Sequence, residues 1–176
     1  MQVGNLTFSP LAKNLSLVPQ PIQREVNRGG FGVGIYVVAI NPEVSDTAAF
    51  CETYNVPRGI STNCIIVEAK HADKTWYAAC LILADNTIDV NGKVRKYLNA
   101  RKVSFAPKDT TLALTQMEYG GITPLGLPET WPILIDKNVC AKQQLIIGGG
   151  VRSSKILVET AVLTSLEHAV TIDISK

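Results

Sequence analysis

Tyr119-Gly120-Gly121-Ile122-Thr123-Pro124-Leu125-Gly126 divides the chain, with β-rich sequence on both sides. The stretch itself has neither helical nor strand period. Pro124 fixes its own φ and biases Thr123 away from helix, while the glycines permit φ > 0. Gly120, Gly121 and Gly126 also leave backbone N–H and C=O groups uncovered. Such a loop is stiff and brings backbone donors close to a ligand. The same composition also makes a tight turn between strands, and both readings stand at this level.

Upstream, Cys64-Ile65-Ile66-Val67 reads as a strand buried on both sides, and Trp76 to Ala84 as a second. The polar turn His71-Ala72-Asp73-Lys74 makes them a hairpin with His71 on its exposed tip. Ile35 to Ile40 is β-branched and predicts a strand. Ser45-Asp46 caps a helix through about Tyr54, which Pro57-Arg58-Gly59 breaks. Ser9-Pro10 ahead of Leu11, Leu15 and Leu17 predicts a short opening helix, and Ile22 to Arg28 a further helical turn. Arg28-Gly29-Gly30-Phe31-Gly32-Val33-Gly34 imitates a phosphate loop. It lacks the Gly-Lys-Ser/Thr ending and leads into a strand, so it reads as a loop or strand start beside close-packed backbone.

Asn91 predicts a helix cap, with Val94, Tyr97 and Leu98 facing inward and Lys93, Arg95 and Lys96 outward. Val103 to Ala106 reads as a short strand, and Asp109 to Met117 as a helix entered through Pro107. Beyond the central loop, Pro132 to Asp136 and Leu145 to Ile147 read as strands, the latter running into Gly148-Gly149-Gly150-Val151-Arg152. Thr160 to Leu166 is a short helical candidate, and Val170 to Ile174 closes as a strand. Many short strands with irregularly placed helices predict an α+β fold with a mixed, curved or barrel-like sheet, not a regular doubly wound one.

At 176 residues the chain suits a single domain spanning 1–176, with residues 1–40 as an amino-terminal extension. Hydrophobic content of 46% and charged content of 18% are those of a soluble globular chain. A net charge of +2 does not by itself imply nucleic acid. Met1-Gln2-Val3-Gly4-Asn5 lacks a signal-peptide pattern and no apolar stretch approaches bilayer length, so a cytoplasmic protein is expected. Cys51, Cys64, Cys80 and Cys140 have no metal-ligand spacing and read as buried thiols. With only His71 and His168 available, no metal site is expected.

No Gly-x-Ser-x-Gly elbow is present, and Cys64, at the start of a buried strand, reads as inert. Asp136, at a strand end, is either a substrate contact or a turn cap. Lys93, Arg95, Lys96, Arg101, Lys102 and Lys108 either track a phosphate backbone or form a solvated face. Arg152, after three glycines, suits an anion or a 3′-terminal nucleotide, or a surface ion pair.

In order and spacing, Glu118 to Gly126, then Pro132 to Asp136, then Ile147 to Arg152, resemble the carboxyl half of the YbaK/EbsC family, the prolyl-tRNA-synthetase-associated editing domains. Asp46-Thr47-Ala48-Ala49, Val56-Pro57 and the strand from Asn63 to Val67 match its amino half. The resemblance implies a small mixed barrel-like sheet surrounded by helices. It also implies hydrolysis of tRNAs charged with the wrong amino acid, without metal or cofactor. The family's Gly-x-x-x-Pro loop maps onto Gly120 and Pro124, whose backbone would hold the aminoacyl group, with Gly121, Ile122 and Thr123 beside it. Arg152 with Gly148, Gly149 and Gly150 would face the terminal adenosine, and Lys93, Arg95, Lys96, Arg101 and Lys102 the acceptor stem.

The implied partners are the acceptor end of an aminoacyl-tRNA and an aminoacyl-tRNA synthetase, for a monomer acting in trans. The family's usual lysine at the first hairpin strand is replaced here by Asn63, or by Thr62 in a register shifted by one. Gly148 and Val151 replace the commoner serine and lysine. An amide still hydrogen-bonds but cannot neutralise a phosphate. Three functions therefore remain open: a trans-editing deacylase, a tRNA- or nucleotide-binding module without chemistry, and a hydrolase of another small acylated compound.

Overall fold

The computed structural model describes residues 1–29 and 33–176; Gly30, Phe31 and Gly32 of the early glycine-rich stretch lie outside the described residues. A ribbon of β1 (Gln2–Val3) and β2 (Leu6–Thr7) opens the chain, followed by β3 (Ser9–Pro10). The expected opening helix is instead two single turns, Leu11–Lys13 and Leu15–Leu17. Asn14 interrupts them at φ −135°, its side-chain amide donating to the Pro10 carbonyl at 2.9 Å. Helix α1 (Gln20–Asn27) carries Pro21 in its first turn and leads to β4 (Ile35–Ala39). Helix α2 (Thr47–Tyr54) is capped by the Asp46 carboxylate, which accepts from the Ala48 and Ala49 N–H groups at 3.0 and 3.4 Å.

β5 (Thr62–His71) and β6 (Lys74–Leu83) form the predicted hairpin, paired from Thr62 with Leu83 to His71 with Lys74. A wide helical turn over Val90–Val94 then runs into α3 (Arg95–Tyr97). Asp89, not Asn91, caps it, accepting from Gly92 and Lys93 N–H at 2.9 and 3.2 Å. β7 (Lys102–Phe105), α4 (Lys108–Thr115), β8 (Ile133–Asp136), α5 (Lys137–Cys140) and β9 (Gln144–Gly148) follow. β10 (Ser154–Glu159), α6 (Thr160–Thr164) and β11 (Ala169–Ile172) complete the chain.

The strands form a four-stranded antiparallel sheet, β3-β4-β10-β9, and a five-stranded mixed sheet, β11-β8-β6-β5-β7. β11, β8 and β6 run parallel; the hairpin and β7 are antiparallel. The fold is thus the expected mixed α+β, but the sheets are not closed into a barrel. They meet at a bridge between Ser61 and Ile146, where Thr62 Oγ1 also donates to the Ile146 carbonyl at 3.0 Å. β10 is an interior strand of the smaller sheet, yet its polar opening Ser154-Lys155 hides it from a hydrophobicity reading.

The main core lies between the sheets. Ile66, Leu81, Ile133 and Ile135 face Ile147, Ile156 and Val158 there. Leu125 of the central loop is fully buried in this core, worth about 2–3 kcal/mol, and anchors that loop. α2 covers the outer face of the smaller sheet, setting Phe50 against Ile146 and Leu157. Among the described residues no helix is long and apolar enough to cross a membrane.

Candidate active site

The two glycine stretches of the carboxyl half are bonded to one another. Gly150 N–H donates to the Gly121 carbonyl at 2.7 Å, and Glu118 N–H to the Gly150 carbonyl at 2.9 Å. Arg152 N–H donates to the Glu118 carboxylate at 2.6 Å. This closeness requires glycine: a Cβ on Gly121 would lie 2.6 Å from the Val151 carbonyl group. Gly120 itself sits at φ +89°, a conformation side chains disfavour. A Cβ there would stand 3.3 Å from an Arg152 guanidinium nitrogen and 3.4 Å from Ser45 Oγ.

A pocket of about 430 Å³ opens beside this loop. The central loop contributes Tyr119, Gly120 and Ile122, and the start of β5 contributes Thr62, Asn63 and Cys64. Thr47 comes from the first turn of α2, Phe105 from the end of β7, Gly148 from β9 and Lys155 from β10. The sequence profile of the aminoacyl-tRNA editing domain family matches residues 41–166, which include every one of these.

The chain belongs to the aminoacyl-tRNA editing domain family.

Solved structures share the fold of this editing domain. One is a protein described as a candidate trans-editing enzyme for prolyl tRNA synthetase, with TM-score 0.76 and 18% identity, the match covering 97% of this chain and 99% of the other. Another, the hypothetical protein APE2540, has TM-score 0.77 and 17% identity over 89% of this chain and 100% of its own. A third, from work on grafting epitope backbones onto scaffold proteins, has TM-score 0.73 and 18% identity over 89% and 96%. No curated protein matches the sequence.

Within the editing-domain pocket, Asn63 Oδ1 accepts from Thr47 Oγ1 at 2.9 Å, so its NH₂ group is the part left to meet a ligand. Thr62 also lines the pocket, but its hydroxyl is engaged on Ile146. Burial pushes the Cys64 thiol well up, so it is protonated at neutral pH and a poor nucleophile. Arg152 lies outside this pocket's lining; it lines a neighbouring cleft with Pro42 and Tyr119 and donates to the Pro42 carbonyl at 2.9 Å. Gly150 N–H is occupied by Gly121, so the second glycine stretch supports the first. Gly149 lies outside the pocket lining, as do Gly121, which packs on Val151, and Thr123, which is fully buried in the loop; Pro124 lines a separate cleft.

Asp136 is not part of this pocket. Its carboxylate is fully buried and accepts from Asn138, Ile174 and Ser175 N–H at 3.0, 2.9 and 2.9 Å, pinning the carboxyl end of the chain. In the basic stretch, Lys93 pairs with Asp173 at 2.7 Å and Arg95 Nε donates to the Asn91 carbonyl at 2.7 Å. Lys96, Arg101 and Lys102 are exposed. Lys102 lies three residues before Phe105 on β7, about 10 Å from the pocket rim by strand rise.

Among the lining residues that sequence reasoning missed are Thr47, Phe105, Tyr119 and Lys155. Lys155 belongs to β10, where Ile156 and Val158 face the main core and Leu157 the other side, so no polar-apolar alternation marks the strand in the sequence. Phe105 and Tyr119 are 63% and 58% exposed at the pocket, with Lys108 Nζ 4.9 Å above the Tyr119 ring.

Proposed function

We propose that this editing domain hydrolyses mischarged aminoacyl-tRNA in trans, in the pocket beneath Tyr119 to Ile122. The observation that carries the reading is the constrained Gly120 backbone, which lines the same pocket as Asn63. The acyl group would rest on the Gly120 backbone, with the Asn63 NH₂ donating to the substrate. Water attacks the ester carbonyl carbon, and the C–O bond to the terminal ribose breaks. The ribose oxygen takes up a proton, leaving free amino acid and uncharged tRNA. An aminoacyl ester is already activated, so positioning water and stabilising the oxyanion suffice. Cys64 is protonated, which favours water over a covalent intermediate. Action in trans is supported by the neighbour described as a candidate trans-editing enzyme for prolyl tRNA synthetase.

A binding module without turnover is the second reading, favoured by the neutral Asn63 at the mouth of β5. A deacylation panel separates the two. The purified protein is incubated with tRNAs charged correctly and incorrectly with many amino acids. Hydrolysis of one mischarged class supports editing. Folded protein that binds tRNA and hydrolyses none of them establishes the second reading.

A further inference from the structure

Lys155 is 6% exposed and lines the inner wall of the pocket. An ammonium has three donors. Here one is engaged, with the Ser45 carbonyl at 2.9 Å, and the Phe50 ring lies 5.2 Å away. No carboxylate lies within ion-pair distance among the described residues. Asp46, its nearest acid influence, caps α2 with its carboxylate. Ser45 Oγ is itself buried without a partner, and it sits against Gly120. Two unmatched polar groups, one of them charged, therefore converge below the glycine proposed to hold the acyl group. A buried ammonium without a counter-ion is costly to keep, and an apolar side chain of the same length would remove that cost.

We infer that Lys155 stabilises the ester carbonyl oxygen as it becomes negatively charged, from the inner wall of this pocket. The inference rests on the hydrolysis proposed above. As water attacks, the carbonyl π pair moves onto oxygen and meets the ammonium. When the tetrahedral intermediate collapses, that pair returns and the ribose oxygen leaves. Lys155 keeps its proton throughout. It touches the reacting atoms and is a catalytic residue in that sense.

Its surroundings set the pH behaviour. Burial lowers the Lys155 pKa and Arg152 lowers it further, while Cys51 and Asp46 oppose them. The native state therefore releases this proton before the unfolded chain does. Stability rises with pH from the lowered native value up to the ordinary lysine value, and kcat falls over the same window.

The test compares wild type, Lys155→Met and Lys155→Ala on the best mischarged tRNA of the panel. Lys155→Met should lower kcat about 10²–10³-fold with little change in KM. Its Tm should be equal or higher, and the alkaline rise in stability should disappear. Ethylammonium should restore activity to Lys155→Ala. Wild-type activity with Lys155→Met within threefold of it overturns the inference and leaves editing standing. So does a lowered Tm with activity lost only in proportion to unfolded protein, or an absence of rescue by ethylammonium. Wild type that hydrolyses no mischarged tRNA overturns editing itself, and this role with it.

Discussion

Two cavities of about 430 Å³ each lie at the two ends of the central loop, one against residues 119–122 and one against 124–128. In the second, polar groups close on one another. Arg28 pairs with Glu129 at 3.1 Å, Arg24 donates to the Gln116 side chain at 3.2 Å, and the Glu25 carboxylate accepts the Gly126 N–H at 2.6 Å. In the first, Asn63 and Lys155 each have donors unmatched, and the hydroxyl of Ser45 below them has no partner. The two cavities are alike in size and differ in unmatched polar capacity. One end of the loop is held in place by these bonds; in the function proposed above, the other presents its backbone to the substrate.

The largest effect should come from the presenting end. Gly120→Val places a branched side chain at φ +89°, between Arg152 and Ser45, and should reduce deacylation by more than about 100-fold with the fold retained. The matching change at the holding end should do the opposite. Gly126 has φ +73°, and a Cβ there would lie 2.7 Å from the Pro21 backbone. Gly126→Ala should cost about 3 kcal/mol, a Tm loss of about 6–12 °C, while the folded fraction keeps its kcat. Thermal melts beside single-turnover rates check both. If Gly126→Ala lost activity without losing Tm, the division of the loop would fail.

Asn63→Ala removes an amide donor from the pocket and should lower kcat/KM about tenfold, measured on the same substrate. Lys96→Glu with Arg101→Glu should weaken tRNA binding a few-fold at low salt and reduce the salt slope, with kcat unchanged. An unaltered salt slope would remove that surface from the tRNA path.

Glu25 gives the smallest contrast. Burial raises its pKa against the opposing bond from Gly126 and the Arg28 charge. The native state holds this proton to higher pH than the unfolded chain. Its contribution to stability is therefore complete at acid pH and declines as pH rises through the raised native value. Glu25→Gln should flatten that decline and raise Tm at neutral pH by about 2 °C. Melts across pH that superimpose on wild type would contradict this.

Much of the fold was legible because the strands flanking the loop are apolar runs bounded by turn residues. Cys64 to Val67 and Trp76 to Ala84 became the central hairpin, and Asp46 its neighbouring helix cap. β10 was not legible, because its first two residues are Ser and Lys and its apolar stretch is short. That one omission also concealed Lys155. Gly120, singled out by local chemistry and the family resemblance, and Asn63, singled out by the resemblance alone, both line the pocket. The pairing of Gly121 with Gly150, and of Asp136 with Ile174 and Ser175, depends on how segments distant in sequence are brought together. A single strand's composition carries no such information.

In the proposed function, the presenting end of the loop carries the hydrolysis. Single-turnover deacylation of the preferred mischarged tRNA, by wild type and Gly120→Val at matched folded concentration, tests it most directly. Wild type should release the amino acid rapidly and Gly120→Val almost not at all. Equal rates from the two proteins would contradict it.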